Sequence, residues 1–252
     1  MGLLIRADAQ GTRLRGRRAL VVGGSGGIGR AVSYMLAAQG ASVVVHGGHD
    51  GERLDQVVRY IKNHGGVARK LLKRIDRAAD FLPSLEDIGD IDILVVSFGP
   101  VFYGSIEQTD PVEWARLTEL NLVLPGILVS RFLPPMQRRR WGRIVLFGGP
   151  RSAPQGGFRE IPAYSAAKAG VESLCRSAAR STGNANISIN VVSPGYVDTE
   201  YLDDATREEL RRRAPRKTLI PPERVARIVR NLVCAEEPDV HGAVIPVDQG
   251  LG

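Results

Sequence analysis

Apolar and polar positions alternate in blocks along this chain. Short apolar runs stand at about 18–23, 42–46, 67–72, 91–96, 142–147, 187–192 and 243–247, with longer stretches of helical character between them. Runs of that length read as strands, and strand alternating with helix predicts parallel βαβ units. No repeat or low-complexity linker breaks the series, so the pattern predicts a single α/β domain built on a doubly wound, seven-stranded parallel sheet. Right-handed crossovers then place a ligand crevice across the carboxyl ends of the strands, where strand order reverses. The stretch 200–222 departs from the alternation, being charged, partly helical and bounded by Pro215 and Pro221-Pro222. It reads as a lid over the crevice, with an ordinary surface helical hairpin as the alternative.

The 252 residues are 43% hydrophobic, which suits one large domain better than two small ones. Residues 1–16 read as an N-terminal extension to a domain over 17–252, and their apolar stretch Gly2-Leu3-Leu4-Ile5 is too short for a signal peptide. No other segment approaches ~18 uninterrupted apolar residues, so a soluble protein without a membrane partner is expected. Cys175 and Cys234 show neither metal-ligand spacing nor a disulfide framework, and no metal site is expected. The formal net charge of +7 is mainly arginine. Its richest runs, Arg138-Arg139-Arg140 and Arg211-Arg212-Arg213 with Arg216 and Lys217, carry no interleaved aromatic residues. That argues against a nucleic-acid partner, whereas a positive rim suits a phosphorylated ligand; a merely solvated surface accounts for the first run.

Two motifs carry chemistry. Tyr164 and Lys168, in Tyr164-Ser165-Ala166-Ala167-Lys168, share one face of a helix. An unperturbed phenol titrates near ~10, and a neighbouring ammonium lowers that value, fitting the tyrosine for proton transfer to a carbonyl or from an alcohol. Upstream, Ala19-Leu20-Val21-Val22 leads into Gly23-Gly24-Ser25-Gly26-Gly27-Ile28-Gly29, and a helical stretch follows from Arg30 to Gln39. Strand, glycine turn and helix in that order let backbone N–H groups and a helix N-terminus hold a pyrophosphate.

These blocks resemble the classical short-chain dehydrogenase/reductase family, and the likeness runs from about Arg17 to the C-terminus. The resemblance implies a Rossmann fold, NADP or NAD as cofactor and a cytoplasmic location. It makes Gly23, Ser25, Gly27, Ile28 and Gly29 cofactor-binding residues. Asn121, in Glu119-Leu120-Asn121-Leu122, matches the asparagine that bends a helix and holds a proton-relay water. Pro194, Val197 and Thr199, in Pro194-Gly195-Tyr196-Val197-Asp198-Thr199, match the segment that contacts the nicotinamide end, and 242–250 looks like the last strand. Tyr164 becomes the general acid of reduction, and Lys168 tunes it and holds the nicotinamide ribose. A homotetramer or homodimer is implied, paired through the helices around Pro111–Arg131 and Ala163–Arg180. Their apolar positions, including Val171, Leu174 and Cys175, exceed what one sheet-facing side needs.

The chain departs from the family at four points. The fourth strand's Asn-Asn-Ala-Gly is Val96-Ser97-Phe98-Gly99 here, keeping only Gly99, so Phe98 is expected to repack the adenosine side. Arg74 or Asp76 stands near the place of the adenine-contacting aspartate. Gly149 aligns with the catalytic serine, which leaves Ser152, a backbone N–H, a water or no group at all in the donor role. Gly47 stands where NAD-preferring members carry an acidic residue, so NADP is favoured, with Arg30, His46 and His49 as phosphate partners unless the histidines are ordinary surface residues. The implied activity is NAD(P)(H)-dependent interconversion of a small-molecule ketone and a secondary alcohol, most like the 3-oxoacyl thioester reductases of the family. The alternative is a dinucleotide-binding protein with weak or no turnover, acting as a sensor or scaffold.

Overall fold

The computed structural model describes residues 13–149 and 159–251. Seven strands form one sheet: β1 (Arg18–Val22), β2 (Ser42–Gly47), β3 (Val67–Leu72), β4 (Ile93–Val96), β5 (Trp141–Phe147), β6 (Asn186–Pro194) and β7 (Val244–Val247). All pairings are parallel, in the order β3-β2-β1-β4-β5-β6-β7. The doubly wound, seven-stranded sheet expected from the apolar runs is therefore present, and its order reverses between β1 and β4. Every residue of Ala19–Val22 and of β4 is buried, as strands covered on both faces must be.

Two apolar layers cover the sheet. One is built by α1 (Gly27–Ala38), α2 (Gly51–Asn63) and α8 (Pro222–Val233). The other combines α5 (Leu124–Arg139) and α6 (Pro162–Arg180) with the short α3 (Ala78–Phe81) and the 3₁₀ turn Leu82–Ile88. Asp110 caps α4 (Pro111–Thr118) by accepting from the Glu113 amide, and Asp203 caps α7 (Asp204–Arg213) by accepting from that of Thr206. Between α4 and α5 the chain passes through a π-turn at Glu119–Val123. The resulting run Pro111–Arg139 is long and apolar enough to cross a membrane by length and composition, yet half of its apolar window is buried inside the fold.

Three sequence expectations change here. Val171 and Cys175 were assigned to a surplus apolar side of α6, but both lie wholly in the core, and only Leu174 is left partly buried. The fold also begins before residue 17: Leu14 is 1% exposed and donates its amide to the Gln39 carbonyl. His46 is not a surface residue. It is fully buried beside Phe81 and Phe98, with ring centroids 4.9 and 6.4 Å away. Its Nδ1 accepts from the Gly23 amide at 3.1 Å, and its Nε2 lies 2.7 Å from the Lys73 carbonyl, so the ring carries its proton on Nε2. Both ring nitrogens being committed to the protein, His46 is a strut between the first glycine of the loop and the end of β3, not a phosphate ligand.

At the opposite end of the sheet, Arg143 is a fully buried cation. Its guanidinium donates to the carbonyls of Gly142, Asn186, Ala235 and Glu236 and to the Asn186 side chain, tying β5 to β6 and to the turn after α8. Burial lowers its pKa to about 10, so it stays charged at neutral pH. Removing it strands these acceptors, and Arg143→Ala is expected to cost about 3–5 kcal/mol of stability in urea denaturation.

Burial holds the His46 pKa at about 4, below its ordinary value of 6.5, against a smaller opposing effect of the Lys73 carbonyl. The native state thus refuses a proton that the unfolded chain accepts, so stability is complete above 6.5 and falls as pH drops from 6.5 toward 4. The loss over that window should approach ~3 kcal/mol. Urea denaturation against pH should show it, and a His46→Gln variant should lack that component.

Candidate active site

The glycine loop sits at the switch point between β1 and β4, and its side-chain-free positions are required by contact. A Cβ on Gly29 would lie 2.1 Å from the Gly23 carbonyl oxygen and 2.4 Å from Ser97 Oγ. Gly23, at φ +79°, would place one 3.1 Å from the backbone of Ser97 and Phe98. Helix α1 is thereby drawn tightly against the loop with its N-terminus at the crevice mouth, and none of its first-turn residues is acidic. Ser97 keeps the bracing job that its missing asparagine suggested was lost: its amide and hydroxyl both donate to the Val22 carbonyl, at 2.9 and 3.0 Å. Ser25 faces Gly47, where an added Cβ would sit 3.0 Å from Ser25 Oγ, and Ile28 packs on the core. Arg74 and Asp76 pair with each other at 2.8 Å in the exposed segment after β3.

The second cluster lies beyond β4 and β5. The π-turn turns Asn121 inward, where it is fully buried and its Nδ2 donates to the carbonyls of Pro100 and Leu117. Its Oδ1 has no hydrogen-bond partner among the described residues. That oxygen points at Gly99, where a Cβ would lie 2.1 Å from it and 3.3 Å from Lys168 Nζ. Lys168, buried, donates to the Phe147 carbonyl at 3.0 Å and lies 5.5 Å from the centroid of the Tyr164 ring. Gly149 lines the other side, its Cβ position 3.0 Å from Tyr164 Cε1. Asn121, Lys168, Tyr164, Gly99 and Gly149 therefore converge, while Ser152 lies outside the described residues.

The electrostatics differ from the sequence expectation that the lysine lowers the phenol's pKa. Burial raises Tyr164 above its ordinary value, and the neighbouring Tyr103 adds to this. Lys168 is itself pushed down to about 8 by burial. Burial governs both shifts, and the ammonium is held by the Phe147 carbonyl. In this arrangement the tyrosine is a protonated donor at neutral pH.

In the segment after β6, where Pro194, Val197, Thr199 and a lid over 200–222 were expected, sequence reasoning missed Glu200. Val197 bridges to Ile220, and Thr199 brings its methyl to 3.3 Å from the Cβ position of Gly27. The Glu200 carboxylate then reaches the glycine loop, accepting from the Gly27 amide at 3.1 Å and pairing with Arg30 at 3.2 Å. No sequence pattern announces that contact, because the partners are 173 residues apart. Beside α7 opens a cavity of about 610 Å³ whose lining includes Tyr103, Ser105, Gln108, Arg159, Leu210 and Arg213. Among the described residues no three His, Cys, Asp or Glu side chains gather as a metal would need. The side-chain-free cradle at Gly23–Gly29, the unpartnered Asn121 oxygen and the buried Lys168 beside Tyr164 fit a dinucleotide lying across the switch point.

Comparison with known proteins agrees. Residues 17–210 match the family model described as short chain dehydrogenase. The 3-oxoacyl-[acyl-carrier-protein] reductase MabA of Mycobacterium tuberculosis is 32% identical over 94% of this chain and 93% of its own length. The corresponding reductase FabG of Pseudomonas aeruginosa is 31% identical over 94% and 98%. Among solved structures, a 3-oxoacyl (acyl-carrier-protein) reductase from Agrobacterium tumefaciens with NADP bound superposes with a TM-score of 0.87 at 28% identity, covering 99% of both chains. With its glycine cradle at the switch point and its Asn, Tyr and Lys gathered beside it, the chain belongs to the short-chain dehydrogenase family.

Proposed function

We propose that the protein reduces a ketone to a secondary alcohol, or runs the reverse reaction, with NADP(H) preferred over NAD(H) and a 3-oxoacyl thioester as the substrate class. The observation that carries this reading is the convergence of the buried Asn121 Oδ1 and Lys168 at Gly99 with Lys168 and Tyr164 at Gly149. A protein that only bound the nucleotide would have no use for the tyrosine and asparagine. The 3-oxoacyl thioester assignment is supported by the names of the MabA and FabG relatives. The absence of a carboxylate at Gly47 and the NADP held by the Agrobacterium neighbour support the cofactor preference. The reading extends to a homo-oligomer pairing through α4–α5 and α6; Val112 and Val123 stand exposed there at 72% and 37%.

Gly23, Ser25, Gly27, Ile28 and Gly29 hold the cofactor's phosphates, with Gly99, Pro194, Val197 and Thr199 along the remainder of the crevice. When bound, the nicotinamide supplies or accepts the hydride. The Tyr164 hydroxyl gives its proton to the carbonyl oxygen, in the protonated form that burial favours. Lys168 Nζ holds the ribose and returns a proton toward the phenol. Asn121 Oδ1 orients the relay that connects the lysine to solvent. The segment 200–222, with α7, closes over the substrate.

Tyr164→Phe should leave NADPH affinity within a few-fold, measured by its fluorescence, and lower turnover of a ketone panel at least ~100-fold. Lys168→Ala should damage both quantities. Near-normal turnover in the first variant overturns the assignment. Ser152 is the candidate oxyanion donor in place of Gly149, and Ser152→Ala should lower kcat on the order of a hundredfold; unchanged kcat removes Ser152 from the site.

A further inference from the structure

The same loop that fits a pyrophosphate already carries an anion supplied by the protein itself. Glu200 Oε1 accepts from the Gly27 amide at 3.1 Å at the start of α1, and both carboxylate oxygens meet Arg30, at 3.2 and 3.3 Å. The following residue covers the loop as well. Tyr201 lays its ring against the glycines, so that a Cβ on Gly26 would fall 1.9 Å from its hydroxyl oxygen, and Arg53 stands 5.4 Å over that ring. A carboxylate on a helix N-terminal amide, with a guanidinium beside it, satisfies the donors that a phosphate would otherwise use.

The segment is tied to the substrate side. Arg207 of α7 donates to the carbonyls of Thr199 and Leu202 and pairs with Asp198 at 2.8 Å. Thr206, Glu209, Leu210 and Arg213, on the same helix, line the 610 Å³ cavity. The chain on either side of Glu200 is thus bonded to the helix that walls the cavity.

We infer that Glu200 is an internal competitor for the phosphate site, a specificity-determining residue that sets the affinity for the dinucleotide and couples its arrival to the position of α7. The inference rests on the nucleotide reading given above. Cofactor binds only the fraction of molecules in which the carboxylate has left, so apparent affinity is reduced by that fraction. Anions of lower charge or fewer contacts are screened out, because they gain less at the loop than Glu200 gives up.

The test is the affinity of purified wild type and Glu200→Gln for NADPH, by nucleotide fluorescence and by calorimetry at low salt. Removing the charge while keeping the shape should tighten binding about five- to tenfold, and the gain should shrink as salt rises. Wild-type or weaker affinity in Glu200→Gln overturns the inference, since a residue that helped to hold the cofactor would lose affinity on substitution. Glu200→Ala gives the same measurement if the glutamine variant does not fold. Failure of the underlying reading is distinguishable: wild type and variant would then both bind neither NADPH nor NADH, which removes the competitor role along with it.

Discussion

The close approach of α1 to the end of β1 is the constraint on which the rest of this structure depends. Only a hydrogen at Gly29 lets the helix sit against the Gly23 carbonyl and the Ser97 hydroxyl. Because the helix cannot back away, its N-terminal amides are aimed into the crevice at the reversal of strand order. His46 and Ser97 hold the loop from its two sides, one through the Gly23 amide and the other through the Val22 carbonyl. Ser97 stands where the family carries an asparagine, and His46 reads from the sequence as a phosphate partner or a surface residue. Their hydrogen bonds nevertheless serve the same mechanical end, since what the loop needs is a donor or acceptor at a fixed distance, whatever side chain bears it.

Across the crevice, burial acts on Tyr164 and Lys168 alike. Desolvation raises the Tyr164 phenol and lowers the Lys168 ammonium, so each group is pushed toward its neutral form. Asn121 is brought to the pair by the π-turn, a helix irregularity of the kind often found at functional sites. Its buried Oδ1 is a strong acceptor placed where only Gly99 leaves room. The site is thus rich in groups whose protonation responds to whatever enters it.

The charged segment after β6 links the two halves. Its Thr199 and Glu200 touch the glycine loop while α7, four residues on, borders the cavity. With no buried residue of its own, α7 is held by polar contacts, of which those of Arg207 are the chief ones. A helix fixed in that way can be moved at small cost.

Much of this was legible in the linear chain. Continuous apolar runs such as Ala19–Val22 and Ile93–Val96 identify strands buried on both faces, and the glycines after the first run, with Tyr164 and Lys168 one helical turn apart, mark the two ends of a crevice. Such local patterns survive in sequence because they depend on neighbours three or four residues away. What the sequence could not convey depends on residues brought together from afar. Whether His46 lies at the surface or between Phe81 and Phe98, whether Val171 faces a partner or the core, and whether desolvation or Lys168 governs the phenol are decided by packing alone. The Glu200 carboxylate on Gly27 is the clearest case, because contacts of that separation follow from the path of the whole sheet and from no pattern near either residue.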